Sequence, residues 1–268
     1  MIKKYQAVIS NCLIRDICSA DDGKMIFSVT EYRIIFMLIS LIKKIDVQFR
    51  TFNISIAEFC EYWEISYGGN QAKNISDTVK SLCEKEYIVN NKTVRFLDDN
   101  SYITDGIMHL KLDDSLLGFL FNLNADFTII DVEYLVKLKS RYSVRIYLYL
   151  KSLESQKYYN IGLENAFTAF SDNKYKTKSQ LKKLVVDKAI KDINISTDII
   201  VSVKFNKVFG YGDKLSFFIN KKVKKPKPTI NQIQMNSPKI NIYVDADDYA
   251  TINYDYGELD IDEDFLPF

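Results

Sequence analysis

A chain of 268 residues with 47% hydrophobic and 26% charged residues describes a soluble globular protein with material for one large or two small domains. Its longest apolar run, Ile34 to Ile42, is broken by Ser40 and bounded by Arg33 and Lys43, well short of the roughly 20 residues a membrane span needs. The formal net charge of +1 conceals an asymmetry, because residues 229–268 carry nine carboxylates against Lys239, which leaves 35 Lys+Arg against 26 Asp+Glu in residues 1–228. A basic body suits a polyanion, and an acidic tail suits a basic partner or the body itself.

The N-terminus, MIKKYQAVISNCLIRD, lacks the long apolar stretch and small-residue cleavage site of a secretory signal, so a cytoplasmic location is expected, with residues 1–25 as an N-terminal arm. Ser28 or Thr30 can cap a helix running to about Lys44, with Ile34, Ile35, Leu38, Leu41 and Ile42 at helical spacing. A strand is expected around Gln48–Phe52. Ser55 followed by Glu58 makes a capping box for a second helix, and Tyr67-Gly68-Gly69-Asn70 turns the chain into a third that runs to about Glu86. Tyr87–Val89 and Lys92–Leu97 flank Asn90-Asn91, the pattern of a hairpin and hence of a β-wing. Residues 105–121 supply a further strand and a short helix.

The order then repeats. Arg33-Ile34, Leu38, Ser40 and Leu41 recur as Arg145-Ile146, Leu150, Ser152 and Leu153, and Phe52-Asn53-Ile54-Ser55 recurs as Tyr159-Asn160-Ile161-Gly162. Tyr67 recurs as Tyr175. Such matches in the same order imply two copies of one domain. The second copy reads as helices 131–138, 142–155, 162–170 and 177–193 followed by strands 198–205 and 214–220, with Asn206 to Asp213 as a wing loop. After Asn220 the run KKVKKPKPT cannot continue a sheet, so the folded body is expected to end near 223.

Three stretches of this copy carry a resemblance. Lys139 to Tyr147 (KSRYSVRIY), Ala189 to Asn194 (AIKDIN) and Thr197-Asp198-Ile199 are similar to motifs of the Rep_3 family of plasmid replication initiators. The resemblance implies an α+β fold of tandem winged-helix domains, to which this sequence adds a disordered acidic C-terminal tail that is not part of the family's common core. The expected boundaries are residues 26–122 for a first winged helix serving dimerisation and DNA binding, 123–224 for a second holding the main DNA contact, and 225–268 for the tail. It also implies repeated duplex sites (iterons) at an origin and a homodimer in equilibrium with the monomer. Host replication proteins would be the remaining partners.

The residues themselves point to a polyanion. Lys139, Arg141 and Arg145 bring cations to a helix start, where free N–H groups and the helix dipole already favour a phosphate. The segment 176–183, KTKSQLKK, places Lys176, Lys178, Lys182 and Lys183 beside Thr177, Ser179 and Gln180, while Leu181, Leu184, Val185, Ala189 and Ile193 form the docking stripe. Lysines neutralise phosphates, and short hydroxyl and amide side chains read base edges. Lys204, Lys207 and Lys214 flank the wing loop, with Tyr211 at its tip. In the first copy Asn70, Gln71, Lys73, Asn74 and Lys80 hold the equivalent positions, with fewer charges. The competing view of each stretch is a solvated helix face or a plain surface hairpin.

Catalysis finds little support, and no cofactor or metal is expected. A rolling-circle nickase needs a His-x-His metal pair beside a nucleophilic tyrosine, whereas the chain has only His109, and no Gly-x-x-x-x-Gly-Lys-Ser/Thr loop occurs. Cys12, Cys18, Cys60 and Cys83 lack ligand spacing. The tail ends LDIDEDFLPF, and Asp262, Glu263 and Asp264 before Leu266-Pro267-Phe268 resemble the partner-binding tip of bacterial single-stranded DNA-binding proteins. A winged-helix repressor, and an interaction module acting through this tip, are the rival classes.

Overall fold

The computed structural model describes residues 5–18, 27–43, 46, 48–171, 174–208 and 212–222, with the side chains of 207, 208 and 212 excepted. These described residues form one compact unit.

The first domain is built from α2 (Val29–Ser40), β2 (Phe52–Ser55), α3 (Ile56–Tyr62), α4 (Gly69–Glu84), the hairpin β3–β4 (Tyr87–Val89, Lys92–Val94) and the pair β5–β6 (Tyr102–Thr104, Ile107–Leu110). Both expected caps form as reciprocal boxes. Ser28 accepts from the Glu31 amide and Ser55 from the Glu58 amide, while each glutamate accepts from its cap residue's own amide. Each box satisfies helix-end donors worth about 1 kcal/mol. Helix α2 stops at Ser40, earlier than Lys44, and the strand lies at Phe52–Ser55 rather than Gln48–Phe52, because Phe52–Ser55 is the stretch that pairs with β6. Asn90 and Asn91 both have positive φ (49° and 60°), the conformation that a two-residue hairpin turn requires.

The second domain repeats this order with α7 (Arg141–Lys151), β8 (Tyr158–Gly162), α8 (Leu163–Ser171), a long helix, and β9 (Ile199–Val208) and β10 (Gly212–Lys221). Its sheet runs β8-β10-β9, and the first domain's runs β2-β6-β5. The equivalence corrects the first wing. Its strands are β5 and β6, turning at Asp105-Gly106, and the β3–β4 hairpin is a separate two-stranded sheet.

Residues 6–18 are part of the body, not a separate arm. Strand β1 (Gln6–Ser10) pairs antiparallel with β7 (Phe127–Asp131), Ala7 and Ile9 are fully buried, and α1 (Asn11–Cys18) buries Leu13, Ile14, Ile17 and Cys18 against α7 and β3. Helix α5 (Leu117–Leu120) leads to β7, and α6 (Val132–Lys137) follows it. No helix among the described residues is long and apolar enough to cross a membrane.

The long helix of the second domain is the least regular element. It opens as α9 (Lys178–Gln180), passes through a π-helical segment (Leu181–Val186) and continues as α10 (Asp187–Ser196). The Asp187 amide donates to the Lys182 carbonyl, five residues back, so one extra residue is fitted into this turn. The insertion changes the stripe: Leu181, Val185, Val186, Ala189, Ile190 and Ile193 are buried, whereas Leu184, expected among them, is 41% exposed.

Candidate nucleic-acid interface

Thr177 fixes the start of the second domain's long helix. Its hydroxyl accepts from the Gln180 amide at 3.2 Å, and the Gln180 side-chain carbonyl accepts from the amides of Thr177 (3.3 Å) and Lys176 (3.2 Å). The exposed residues of this first stretch are Lys176, Thr177, Ser179, Gln180, Lys182 and Lys183, with Lys178 half-buried. Thr177 and Gln180 are therefore structural as well as exposed.

The two wing strands stand beside this helix. Phe205 of β9 has the Lys178 and Lys182 ammonium groups at 5.8 and 5.5 Å from its ring centroid, within cation–π range. Lys178 also donates to Asp213 of β10 at 2.7 Å. Lys182 pairs with Asp187 at 2.7 Å, five residues on, the spacing at which a π turn aligns side chains. Lys204 is exposed on the opposite side of β9, its ammonium 5.4 Å from the Phe218 ring, and Lys214 is half-buried on β10. Lys207 lies opposite Asp213 in the strand register, with its side chain outside the described set. Tyr211 and the partner-binding set Asp262, Glu263, Asp264, Leu266, Pro267 and Phe268 lie outside the described residues.

At the start of α7 the three cations part company. Lys139 is exposed and reaches Glu64 of the first domain at 3.8 Å. Arg141 is half-buried over the ring of Tyr142, at 5.0 Å, and donates to its hydroxyl at 3.1 Å. Arg145 is 1% exposed and donates to the Ala169 carbonyl of α8 at 3.3 Å. It faces the interior, so it is a strut between α7 and α8 rather than a phosphate contact. Its counterpart in the first copy, Arg33, sits over the Trp63 ring at 5.6 Å, just past the end of α3. Burial lowers the pKa of Arg33 from its ordinary value, although a guanidinium keeps its proton regardless.

Further bonds hold the long helix to α7. Ser143 donates to Asp192 at 2.8 Å, and Asp198, in the turn after α10, accepts from Tyr147 at 2.9 Å and from Lys151 at 2.6 Å. Lys151 also pairs with Glu154. Burial opposes the charge on Lys151, yet its bonds to Asp198 and Glu154 prevail and hold its pKa above the ordinary value.

In the first domain Asn70, Lys73, Asn74 and Lys80 are exposed on α4 and Gln71 is half-buried. Lys80 lies 3.8 Å from Glu84 on the same helix, and Asn74 makes a long contact (3.5 Å) to Thr30. Helix α4 has Gly68 as its N-cap, with no side-chain bond there. His109 bonds Asn53 at 2.8 Å and stacks on Tyr102 at 4.6 Å, which accounts for it structurally.

Two family models match this chain. Residues 16–151 match the model described as Initiator Replication protein, WH1, and residues 166–226 match Initiator Rep protein, WH2. The chain belongs to the initiator replication protein family. It is a plasmid replication initiator of the Rep_3 type with two winged-helix domains that bind DNA. No curated protein matches the sequence significantly. The WH1 match runs through α7, and the WH2 match begins within α8. Helix α7 packs against α1 and α2 on one side and α8 and α10 on the other. Helix α4 lies within the WH1 match and α9–α10 within the WH2 match. Sequence reasoning missed Phe205 and Asp213; the alternation of β9, with Val201, Val203 and Phe205 at every second position, was the signal that aims Phe205 at the helix.

Proposed function

We propose that this initiator binds repeated duplex sites at its origin, with WH2 making the main contact through Lys176, Lys178, Ser179, Lys182 and Lys183 and the wing lysines. WH1 adds weaker contacts through Asn70, Lys73 and Asn74, and mediates a homodimer in equilibrium with the DNA-bound monomer. The observation that supports this reading is the boxed start of α9, exposed beside two wing strands with the Lys178 and Lys182 ammonium groups over Phe205 of β9. Phosphate-directed cations give affinity, and the hydroxyl and amide groups among them supply base readout. Bound at an array of sites, the protein helps open adjacent DNA and represses its own gene. It brings in host replication proteins through the acidic segment ending Leu266-Pro267-Phe268, acts in the cytoplasm, and makes no bond itself.

The reading is tested by supplying the chain in trans to a plasmid that carries the DNA flanking its gene but lacks the gene itself. Maintenance of that plasmid, lost with Lys178→Ala/Lys182→Ala, is expected. Maintenance that is indifferent to these lysines would contradict the assignment of the interface, and no maintenance would contradict initiation at that DNA.

A further inference from the structure

Strand alternation divides the WH2 sheet into two faces. Ile161, Val201, Leu215, Phe217 and Ile219 are buried on the side of α8 and α10, and the other side is open. Its positions are 158, 160 and 162 in β8, the even positions 214–220 in β10 and 200–206 in β9, and none of them is Asp or Glu. The register sets Tyr158, Phe218 and Ser202 in one row and Asn160, Ser216 and Lys204 in the next. Tyr158 is 45% exposed, its ring centroid 5.0 Å from that of Phe218 at 48°, and its hydroxyl donates to Asn160 at 2.8 Å. The Lys204 ammonium lies 5.4 Å from the Phe218 ring, and no carboxylate pairs with it among the described residues.

We propose that this face is a binding site for single-stranded nucleic acid, which stacks bases on Tyr158 and Phe218 and lays its phosphates along Lys204 and Lys214. A single strand offers unstacked bases and a polyanionic backbone, and aromatic rings on an open sheet beside cations hold both without reading sequence. A duplex keeps its bases in its own stack, so these rings gain nothing from it. The bond to Asn160 fixes the Tyr158 ring before a ligand arrives, which lowers the cost of ordering it. The site is separate from the duplex interface, because Phe205, next to Lys204 in the chain, faces Lys178 and Lys182 on the opposite side of the sheet. WH2 can therefore hold duplex on α9 and an opened strand behind it, and Lys204, grouped with the duplex contacts by its place in the wing, has a second ligand. The corresponding WH1 face has no lysine at 53, 55, 102, 104, 107 or 109, and its Tyr102 is already stacked on His109 at 4.6 Å.

The experiment measures the fluorescence anisotropy of a labelled single-stranded oligonucleotide of about 15 nucleotides, as DNA and as RNA, with the full chain at physiological salt. Tyr158→Ala is expected to weaken binding roughly tenfold, the loss of one stacked base, and Tyr158→Phe to restore it. Lys204→Gln should flatten the salt slope on the single strand by about 0.7 unit. The affinity of Tyr158→Ala for the footprinted duplex should equal that of wild type, which also establishes that the variant folds, and wild-type protein saturated with that duplex should still take up the oligonucleotide. Tyr158-dependent binding of either form supports the proposal, and the tighter form names the strand. Oligonucleotide binding that is indifferent to Tyr158→Ala, or that is lost once duplex is bound, would overturn it. A change of oligomeric state in Tyr158→Ala with no change in oligonucleotide affinity would overturn it too, and give the face to a second copy of the chain. Duplex binding that fails while the oligonucleotide still binds would overturn only the duplex reading.

Discussion

The guanidinium of Arg145, in the middle of α7, donates to the main-chain carbonyl of Ala169 near the end of α8, and only 1% of the residue meets solvent. A cation that reads in sequence as one of three phosphate ligands holds α7 and α8 together instead. Its repeat counterpart, Arg33, lies against Trp63 in WH1, so each domain ties its first helix to the end of the next with an arginine.

Arg145→Met should therefore act on stability and not on DNA. Leaving a buried carbonyl without its charged donor costs about 1–3 kcal/mol. A lower midpoint in urea with an unchanged salt slope of DNA binding is expected, whereas an intact midpoint with a flatter slope would return Arg145 to the interface.

Lys178→Ala with Lys182→Ala should weaken binding to the specific site and reduce the salt slope by about two units, one for each lost phosphate contact. A salt titration by fluorescence anisotropy reads this directly, and an unchanged slope would move the interface elsewhere.

Thr177→Ala removes the hydroxyl that accepts from Gln180 and should cost about 1 kcal/mol of stability. Hydrogen exchange of the amides at 178–182 should quicken, and Thr177→Ser should restore both. Exchange that stays slow in the alanine variant would show that the box does not hold the helix start.

Lys151 links stability to pH. Its folded pKa lies above the unfolded value of about 10.4, so the bonds to Asp198 and Glu154 contribute fully below that pH and are lost as pH rises through the folded value. Wild-type stability should fall towards that of Lys151→Met in this alkaline window. Parallel profiles for the two proteins would contradict the assignment.

Local chemistry made much of the fold legible. Ser28 and Ser55 announce helix starts, and Asn90-Asn91 announces a hairpin, because caps and turns depend on residues three or four apart. The β1–β7 pair joins Gln6 to Asp131, and neither strand signals the other across such a separation. The first wing was misplaced for a related reason: the β3–β4 hairpin has the clearer local turn, while β5–β6 is identified only by its pairing with β2. In the site, the lysines of 176–183 were plain from sequence, but the π turn that exposes Leu184 and brings Lys182 to Asp187 follows no periodic pattern. Arg145 was misread because sequence shows its charge and not its burial.

The tail gives a prediction of its own. Deleting Leu266–Phe268 while keeping Asp262, Glu263 and Asp264 should abolish capture of proteins that bind the tip of single-stranded DNA-binding proteins. Undiminished capture would leave charge alone as the explanation.

The central claim, that two winged helices read repeated duplex sites, is tested most directly by a nuclease footprint of the full chain on DNA flanking its gene, with scrambled competitor at physiological salt. Regularly spaced protected direct repeats are the expected result. A single protected inverted site would make the protein a repressor, since two-fold protein symmetry selects two-fold DNA, and the absence of protection would contradict sequence-specific duplex binding altogether.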